Sequence, residues 1–406
     1  MESNEKIVLQ KIDGMEDEIA KFLQKLVEFP SEVPPGKYRP ISKFVAEKMK
    51  EFGIENTVKR NNVIGEMGKE GGKTLIFNAH VDTVEVFDGW TRDPYSNEIK
   101  DAKIYGRGAC DDKSCVAAEI FAAKALLDAN IDLNGKLIVT AVVNEEIAGF
   151  GGAEYIANDG IVKGDACIVG DGPRNYPMGY IGGTLQVSFS IKGIRRHCMA
   201  YPDLNPPNRN QYSGINAIHR MFPIIDFLKA LQKEFEQQET QYPIAPGMPS
   251  KVGSVTITKI EGGVSHTTVP DKCNLHCIIS IIPEMDLEAI KARVFAFAEE
   301  YKKKNPDIDL TVQAPVFVEP LIADTNTEFA LSVKKAYKTL YNEDREFKLF
   351  IASTDAHHFK RNGIDTIVIG TMRGDNNYHA QDEFVYVEDV IDATKIYALT
   401  ALDYLK

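Results

Sequence analysis

Along the first 150 residues, segments with helical hydrophobic spacing alternate with short apolar runs. Residues 7–28 carry Ile19, Phe22, Leu23, Leu26 and Val27 at helical intervals, which predicts a helix stopped by Pro30. Residues 31–36 read as a loop, and residues 40–52 as a second helix closed by Gly53. Apolar runs at 63–66, 74–79 and 137–143 predict strands. Between the last two, residues 113–130 place Val116, Ile120, Ala123 and Leu127 on one helical face. Strands alternating with helices predict an α/β sheet covered by helices on both faces. In such sheets ligands gather at the carboxyl ends of the strands.

The pattern changes near Tyr180. Residues 182–192 alternate apolar and polar positions (Leu185, Val187, Phe189, Ile191), as an antiparallel strand does. A polar stretch rich in Pro and Asn follows at 202–213, then a helix from 214 to about 237. Strands at 252–260 and 274–282, a helix at 286–303 and a strand at 308–316 complete a β-α-β-β-α-β unit, which makes a self-contained layer. From residue 325 the helix–strand alternation returns: a helix to Tyr341, a strand at 347–351, a helix around His357, a strand at 366–369 and a final helix from Val387. The expected organisation is therefore a larger domain of residues 1–180 and 318–406, with a smaller α+β domain of residues 181–317 inserted into it. A chain of 406 residues is long for one core, which agrees with two.

Composition narrows the function classes. With 44% hydrophobic and 26% charged residues the chain has the make-up of a soluble globular protein. A net charge of −12 argues against a nucleic-acid surface, which needs a cationic footprint. No apolar run approaches the ~20 residues of a membrane span, and the N-terminal residues lack a signal-peptide layout. Six cysteines (110, 115, 167, 198, 273, 277) are too sparse for a disulfide framework, so reduced thiols and a cytosolic location are expected. Cys273 and Cys277 lie in a strand-like run without a second pair, which makes them poor zinc ligands.

The chemistry sits at the ends of the apolar runs. His80 and Asp82 follow the 74–79 run, Asp111 and Asp112 follow Gly106-Arg107-Gly108, Glu145 and Glu146 follow the 137–143 run, and Asp171 and His379 follow later ones. Imidazole mixed with carboxylate suits hard or borderline divalent cations, and five ligands with one spare glutamate suggest a two-metal hydrolase. Residues two apart on a strand share a side, so Asp82 is placed to fix the His80 tautomer. Glu145 and Glu146, if extended, face apart, so one can bind metal while the other acts on water. Any one acidic residue alone reads as a solvated loop side chain; acidic residues at successive strand ends do not. Gly106-Arg107-Gly108 lacks the third glycine of a dinucleotide loop and leads into two aspartates that would repel phosphate.

Taken in order, these motifs resemble the M20 metallopeptidases and deacylases, which include desuccinylases, acetylornithine deacetylases, aminoacylases, glutamate-releasing carboxypeptidases and dipeptidases. The resemblance rests on His80-x-Asp82, Gly106 to Lys113, Glu145-Glu146, Asp171 in Val169-Gly170-Asp171-Gly172-Pro173, and His379 in Tyr378-His379-Ala380-Gln381-Asp382-Glu383. It implies a zinc-peptidase-like mixed sheet with an inserted lid and dimerisation domain. It implies Asp111 bridging two divalent ions, with His80 and Asp171 on one, Glu146 and His379 on the other, Glu145 as general base and Asp82 orienting His80. Zinc suits the ligands best, with cobalt or manganese as substitutes. The implied reaction is hydrolysis of the amide of an N-acyl amino acid, with a short peptide as the rival substrate and a catalytically silent metal-binding protein as the rival class.

Gly193-Ile194-Arg195-Arg196-His197 and Gly214-Ile215-Asn216-Ala217-Ile218 resemble the family's smaller-domain motifs. They imply a homodimer in which His197 reaches the partner's site to stabilise an oxyanion; alone, His197 reads equally well as a surface histidine. Other positions depart from the family pattern. Thr267 stands where an asparagine is common, and Ser280 where an arginine often grips a substrate carboxylate, which serine cannot do. Arg195, Arg196 and Arg373 are the candidate replacements. Ala352-Ser353-Thr354-Asp355-Ala356 resembles a substrate-side turn. On helical spacing alone, the His357 and His358 that follow it are partly exposed.

Overall fold

A computed structural model describes residues 3–204, 208–246 and 250–406. Positions 205–207 of the polar stretch expected at 202–213, and the first two residues of the N-terminus, lie outside the described residues. Its centre is a nine-stranded mixed sheet. Four strands at its middle run parallel: Lys136–Val142, Thr74–His80, Ala166–Gly170 and Asp365–Ile369. All are buried along most of their length, as parallel strands covered on two faces are.

The Thr74–His80 strand shows how the two faces are used. Phe77 packs on Tyr397 of the C-terminal helix Val387–Tyr404, with ring centroids 5.1 Å apart. Asn78, on the opposite face, donates to Asp355 at the start of helix Ala356–Arg361, 3.3 Å away. Helix Lys113–Asp128 is buried along thirteen of its sixteen residues and packs on the C-terminal helix and this same strand.

The chain differs locally from its sequence pattern. The single helix expected over 7–28 is two, Asn4–Asp13 and Glu16–Val27, because Gly14 ends the first; glycine inside a helix costs about 1 kcal/mol against alanine. A strand at Glu55–Lys59 pairs with Asn62–Gly68 through a turn in which Arg60 and Asn61 both have positive φ. Four of its five residues are exposed, so it carries no apolar signal. A three-stranded sheet of Ile99–Lys100, Lys103–Tyr105 and Phe384–Tyr386 is likewise too short to read from periodicity.

Buried apolar residues form two clusters, one under the large sheet and one within residues 185–310. The second lies between a four-stranded antiparallel sheet and two helices. The strands are Gly183–Lys192, Ser254–Gly262, Lys272–Ile281 and Asp309–Val318; the helices are Ala217–Phe235 and Leu287–Lys304. The element order is β-α-β-β-α-β. Asn216 and Asp286 cap the two helices with side-chain oxygens, as N-cap residues do. One segment inside this stretch belongs to the larger body. Ile244 bridges to Leu349, the Leu349 N–H donates to the Pro243 carbonyl at 2.8 Å, and Ala245 is buried in the large cluster. Among the described residues no helix is long and apolar enough to cross a membrane.

Candidate metal centre

The four parallel strands end on one side of the sheet, and each delivers a polar side chain there. His80 closes its strand; Glu145 and Glu146 follow Lys136–Val142; Asp171 follows Ala166–Gly170; His379 lies in the loop after Asp365–Ile369. Asp111 comes from the turn before helix Lys113–Asp128. Its two carboxylate oxygens face different imidazoles. Oδ1 lies 3.2 Å from His80 Nε2 and Oδ2 lies 3.1 Å from His379 Nε2. His379 Nε2 is also 3.1 Å from Glu146 Oε2. One donor atom each from Asp111, Glu146 and His379 fall within 4.8 Å of one another.

Asp82 does more than orient His80, and does it differently from the strand geometry the sequence suggests. The strand ends at His80. The Asp82 main-chain carbonyl lies 3.0 Å from His80 Nδ1, and its carboxylate is 3.5 Å away. That carboxylate instead accepts the N–H groups of Glu145 and Glu146, at 3.2 and 3.1 Å. The two glutamates are therefore not extended. They occupy a tight helical turn, Glu145–Ile147, entered and left through left-handed residues, Asn144 at φ 67 and Ala148 at φ 69. Asparagine tolerates that conformation and alanine does not favour it, so neighbouring contacts must hold the turn. They include the Tyr38 hydroxyl donating to Asn144 Oδ1 at 2.5 Å and the buried His358 ring against the Ala148 carbonyl at 3.1 Å. Gly149, at φ 70, passes so close that a Cβ would sit 2.6 Å from Asp355 and from His358. His358 is thus a buried support, not the partly exposed helix residue its spacing suggests; His357 lines the cleft.

Backbone strain recurs at the other ends. Asp171 has φ 148 and His379 φ 58, both unusual outside glycine. Sequence reasoning missed the support beneath Asp111. Glu383 Oε1 accepts the N–H groups of Cys110 and Asp111, at 3.0 and 3.1 Å, while Oε2 is bonded by Arg107 at 2.6 Å. Both side chains of that ion pair are about 1% exposed. Arg107 and Glu383 each lie inside a sequence motif, but nothing in the spacing joins two positions so far apart.

The electrostatics follow from crowding carboxylates where water is scarce. Burial, together with neighbouring Asp355 and Asp171, raises the Glu145 carboxyl well above its usual range, with His80 opposing. Burial and Asp111 raise Asp171 and Glu146 likewise. Asp111 goes the other way: despite burial, His379 and His80 hold it well below the ordinary carboxylate range. In return, and again against burial, bonds to Asp111 and Glu146 push His379 up to about 11, and Asp111 and Asp82 raise His80. Two imidazoles thus hold protons beside a shared carboxylate, positions that divalent cations would take over with release of those protons. The donor set of imidazole nitrogen and carboxylate oxygen fits zinc and its first-row neighbours.

These groups open into a cleft of about 320 Å³. One wall is the large body: Asp111, Glu145, Glu146, Asp171 and His379, with Phe350, Met372 and Tyr378 beside them. The facing wall is the sheet of the smaller unit, through Thr184, Gln186, Ile278, Ser280, Val316 and Val318. His197 is exposed on the smaller unit and does not line the cleft of its own chain. Of the candidate arginines, Arg195 pairs with Asp271, Arg196 bonds main-chain oxygens of Tyr212 and Arg195, and Arg373 pairs with Asp389 and Glu388. None lines the cleft.

Comparison with known proteins gives consistent results. Residues 76–403 match Peptidase family M20/M25/M40. An N-formyl-4-amino-5-aminomethyl-2-methylpyrimidine deformylase of Bacillus subtilis (strain 168) is 25% identical over 95% of this chain and 94% of its own length. A succinyl-diaminopimelate desuccinylase of Marinobacter nauticus is 24% identical over 82% of this chain and 84% of its own. The crystal structure of a dinuclear metal binding peptidase from Bacillus subtilis superposes with a TM-score of 0.68. It covers 97% of this chain and 99% of that one at 17% identity.

Proposed function

Because the chain belongs to Peptidase family M20/M25/M40 and is a metal-dependent hydrolase, we propose that it removes a small acyl group from nitrogen at a two-metal centre. The observation that carries this reading is Asp111, whose two oxygens face His80 and His379 at 3.2 and 3.1 Å. In this reading Asp111 with His80 and Asp171 would hold one ion, and Asp111 with Glu146 and His379 would hold the other. Zinc fits these ligands, with cobalt or manganese as substitutes. When bound, such ions would supply Lewis acidity to the amide carbonyl and lower the pKa of the attacking water.

Glu145, whose carboxyl is raised by burial, takes a proton from the attacking water and returns it to the leaving nitrogen. Asp82 holds the turn through two N–H bonds, so it fixes both glutamates together with the His80 ring. Residues 1–180 and 318–406 form the catalytic body in this reading, and residues 181–317 a lid that also dimerises. Exposed Met199 (78%) lies two residues from His197, Tyr212 (60%) accepts a bond from neighbouring Arg196, and Val264 (60%) lies near Thr268, which bridges to His197, so a second copy could cover that face and take His197 into its cleft. Six unpaired cysteines agree with a reducing cytosol.

The names of the two sequence relatives describe removal of formyl and succinyl groups, which favours N-acyl hydrolysis over peptide cleavage. The test is metal analysis followed by a panel of N-formyl, N-acetyl and N-succinyl amines and amino acids alongside dipeptides, read as amine release. Two bound ions with turnover on N-acyl compounds is the expected result. Turnover on dipeptides alone would make the protein a peptidase, and none on any amide would make it a binding protein.

A further inference from the structure

The wall facing the metal centre is assembled by strand register. Ser280 pairs with Thr184, and Thr184 with Val318; one step along, Ile278 pairs with Gln186, and Gln186 with Val316. Because strand residues alternate, these six share the face opposite Leu185, Val187 and Ile279, which are buried in the smaller core. They give the cleft two rows of hydroxyl, carboxamide and aliphatic groups. Among the described residues no lysine or arginine lines the cleft, whereas Asp111, Glu145, Glu146, Asp171 and Asp355 all do. Two divalent ions would bring four positive charges against these five carboxylates. Two arginines, Arg174 and Arg373, lie in a neighbouring cavity that shares Met372 and Tyr378 with the cleft. Both are bound to Asp389 and Glu388, and Arg174 also to Asp392.

We propose that the acylated substrate is an amine whose body is uncharged or cationic, without a carboxylate beside the scissile bond. This inference rests on the N-acyl hydrolase reading above. A carboxylate in this cleft would lose its hydration, meet a neutral wall, and face Glu145 and Asp355 without a fork of donors. A neutral ring gives up little hydration there, and an ammonium exchanges its hydration for the carboxyl groups lining the cleft. Phe350, Met372 and Tyr378 offer apolar contact, Gln186 and Ser280 offer hydrogen bonds, and Asp355 offers a buried carboxyl that burial pushes up to about 7. The reaction is a plain hydrolysis. Water oxygen bonds to the acyl carbon, the C–N bond breaks, and a water proton ends on the leaving nitrogen, giving a carboxylic acid and an amine.

The test uses the metal-loaded protein and matched pairs differing only by a carboxylate: N-formylbenzylamine against N-formylphenylglycine, and N-formylphenethylamine against N-formylphenylalanine. The carboxylate-free member of each pair is expected to have a kcat/KM at least about tenfold higher. Equal or higher kcat/KM for the carboxylate members would overturn this inference and leave N-acyl hydrolysis standing. No cleavage of either member by protein carrying two ions would overturn both. As a second measurement, Ser280→Arg is expected to move the ratio at least about tenfold towards the carboxylate members. A folded variant with an unmoved ratio would count against the neutral wall as the cause.

Discussion

The two walls of the cleft are built on opposite plans. The large body presents carboxylates and imidazoles at the ends of parallel strands, in loops whose backbone is held in left-handed conformations at Asn144, Ala148 and His379. Key groups there are fixed by others: Asp82 by two N–H groups, Glu383 by two N–H groups and Arg107. The insert's wall is an antiparallel sheet, bulged between Gln313 and Val316, that lines the cleft with neutral side chains. One wall is strained, charged and over-determined, and the other is relaxed and replaceable. Strain and buried charge gather where reacting atoms must be held in place, while a wall that only selects the substrate can be ordinary sheet.

Breaking the charged wall should have the largest effects. Exhaustive chelation is expected to abolish turnover and added zinc to restore it, measured by amine release. Because the metal-free site holds His379 up to about 11 and His80 raised, cations must displace protons at neutral pH. Apparent metal affinity should therefore rise with pH. Titration calorimetry in buffers of different ionisation enthalpy should show proton release on binding. Glu145→Gln is expected to retain both ions and lose about 10²–10⁴-fold in kcat. Near-normal turnover would remove Glu145 as the base.

Effects on stability come next. Glu383→Gln leaves Arg107 buried without its counter-charge and should cost about 3–5 kcal/mol, read from the denaturant midpoint. Glu119 tests the same wall from behind. It is fully buried in helix Lys113–Asp128, with neither carboxylate oxygen hydrogen-bonded, and burial raises its pKa well above the usual value. The folded state therefore keeps its proton while the unfolded chain releases it above about pH 4.5. Stability is lost as pH rises from there, and Glu119→Leu should recover about 1–3 kcal/mol at pH 8 and little at pH 4. An equal gain at both would show that charge is not the cause. Smallest of all, Gln186→Ala on the neutral wall should change KM by only about fivefold and leave kcat within about twofold. A large fall in kcat there would erase the contrast between the walls.

Much of the charged wall was readable in the chain, because each reactive residue follows an apolar run and strand ends in an α/β sheet converge. The four-stranded antiparallel sheet was readable because the alternation changes period near Tyr180. What escaped the sequence depends on contacts it does not encode locally. The Glu145–Ile147 turn is set by Asp82, 63 positions away, and by a ring at position 358. The N–H of Asp111 finds Glu383 at a separation of 272 residues. The Glu55–Lys59 strand lies at a solvent-facing edge and needs no apolar side chains. Of the expected residues, His197 stays away from the cleft of its own chain, as do the candidate arginines Arg195, Arg196 and Arg373.

Pro243–Ala245 crosses back from the insert to pair with Leu349 on the large body, a few residues from Asp355 and His357. A flap joined only where its chain leaves and returns could swing about those two joints alone. This one carries a third stitch, attached beside the segment that frames the substrate. Any rocking of the flap must either tear that stitch or drag the framing segment along, so opening the cleft and reshaping it become a single movement.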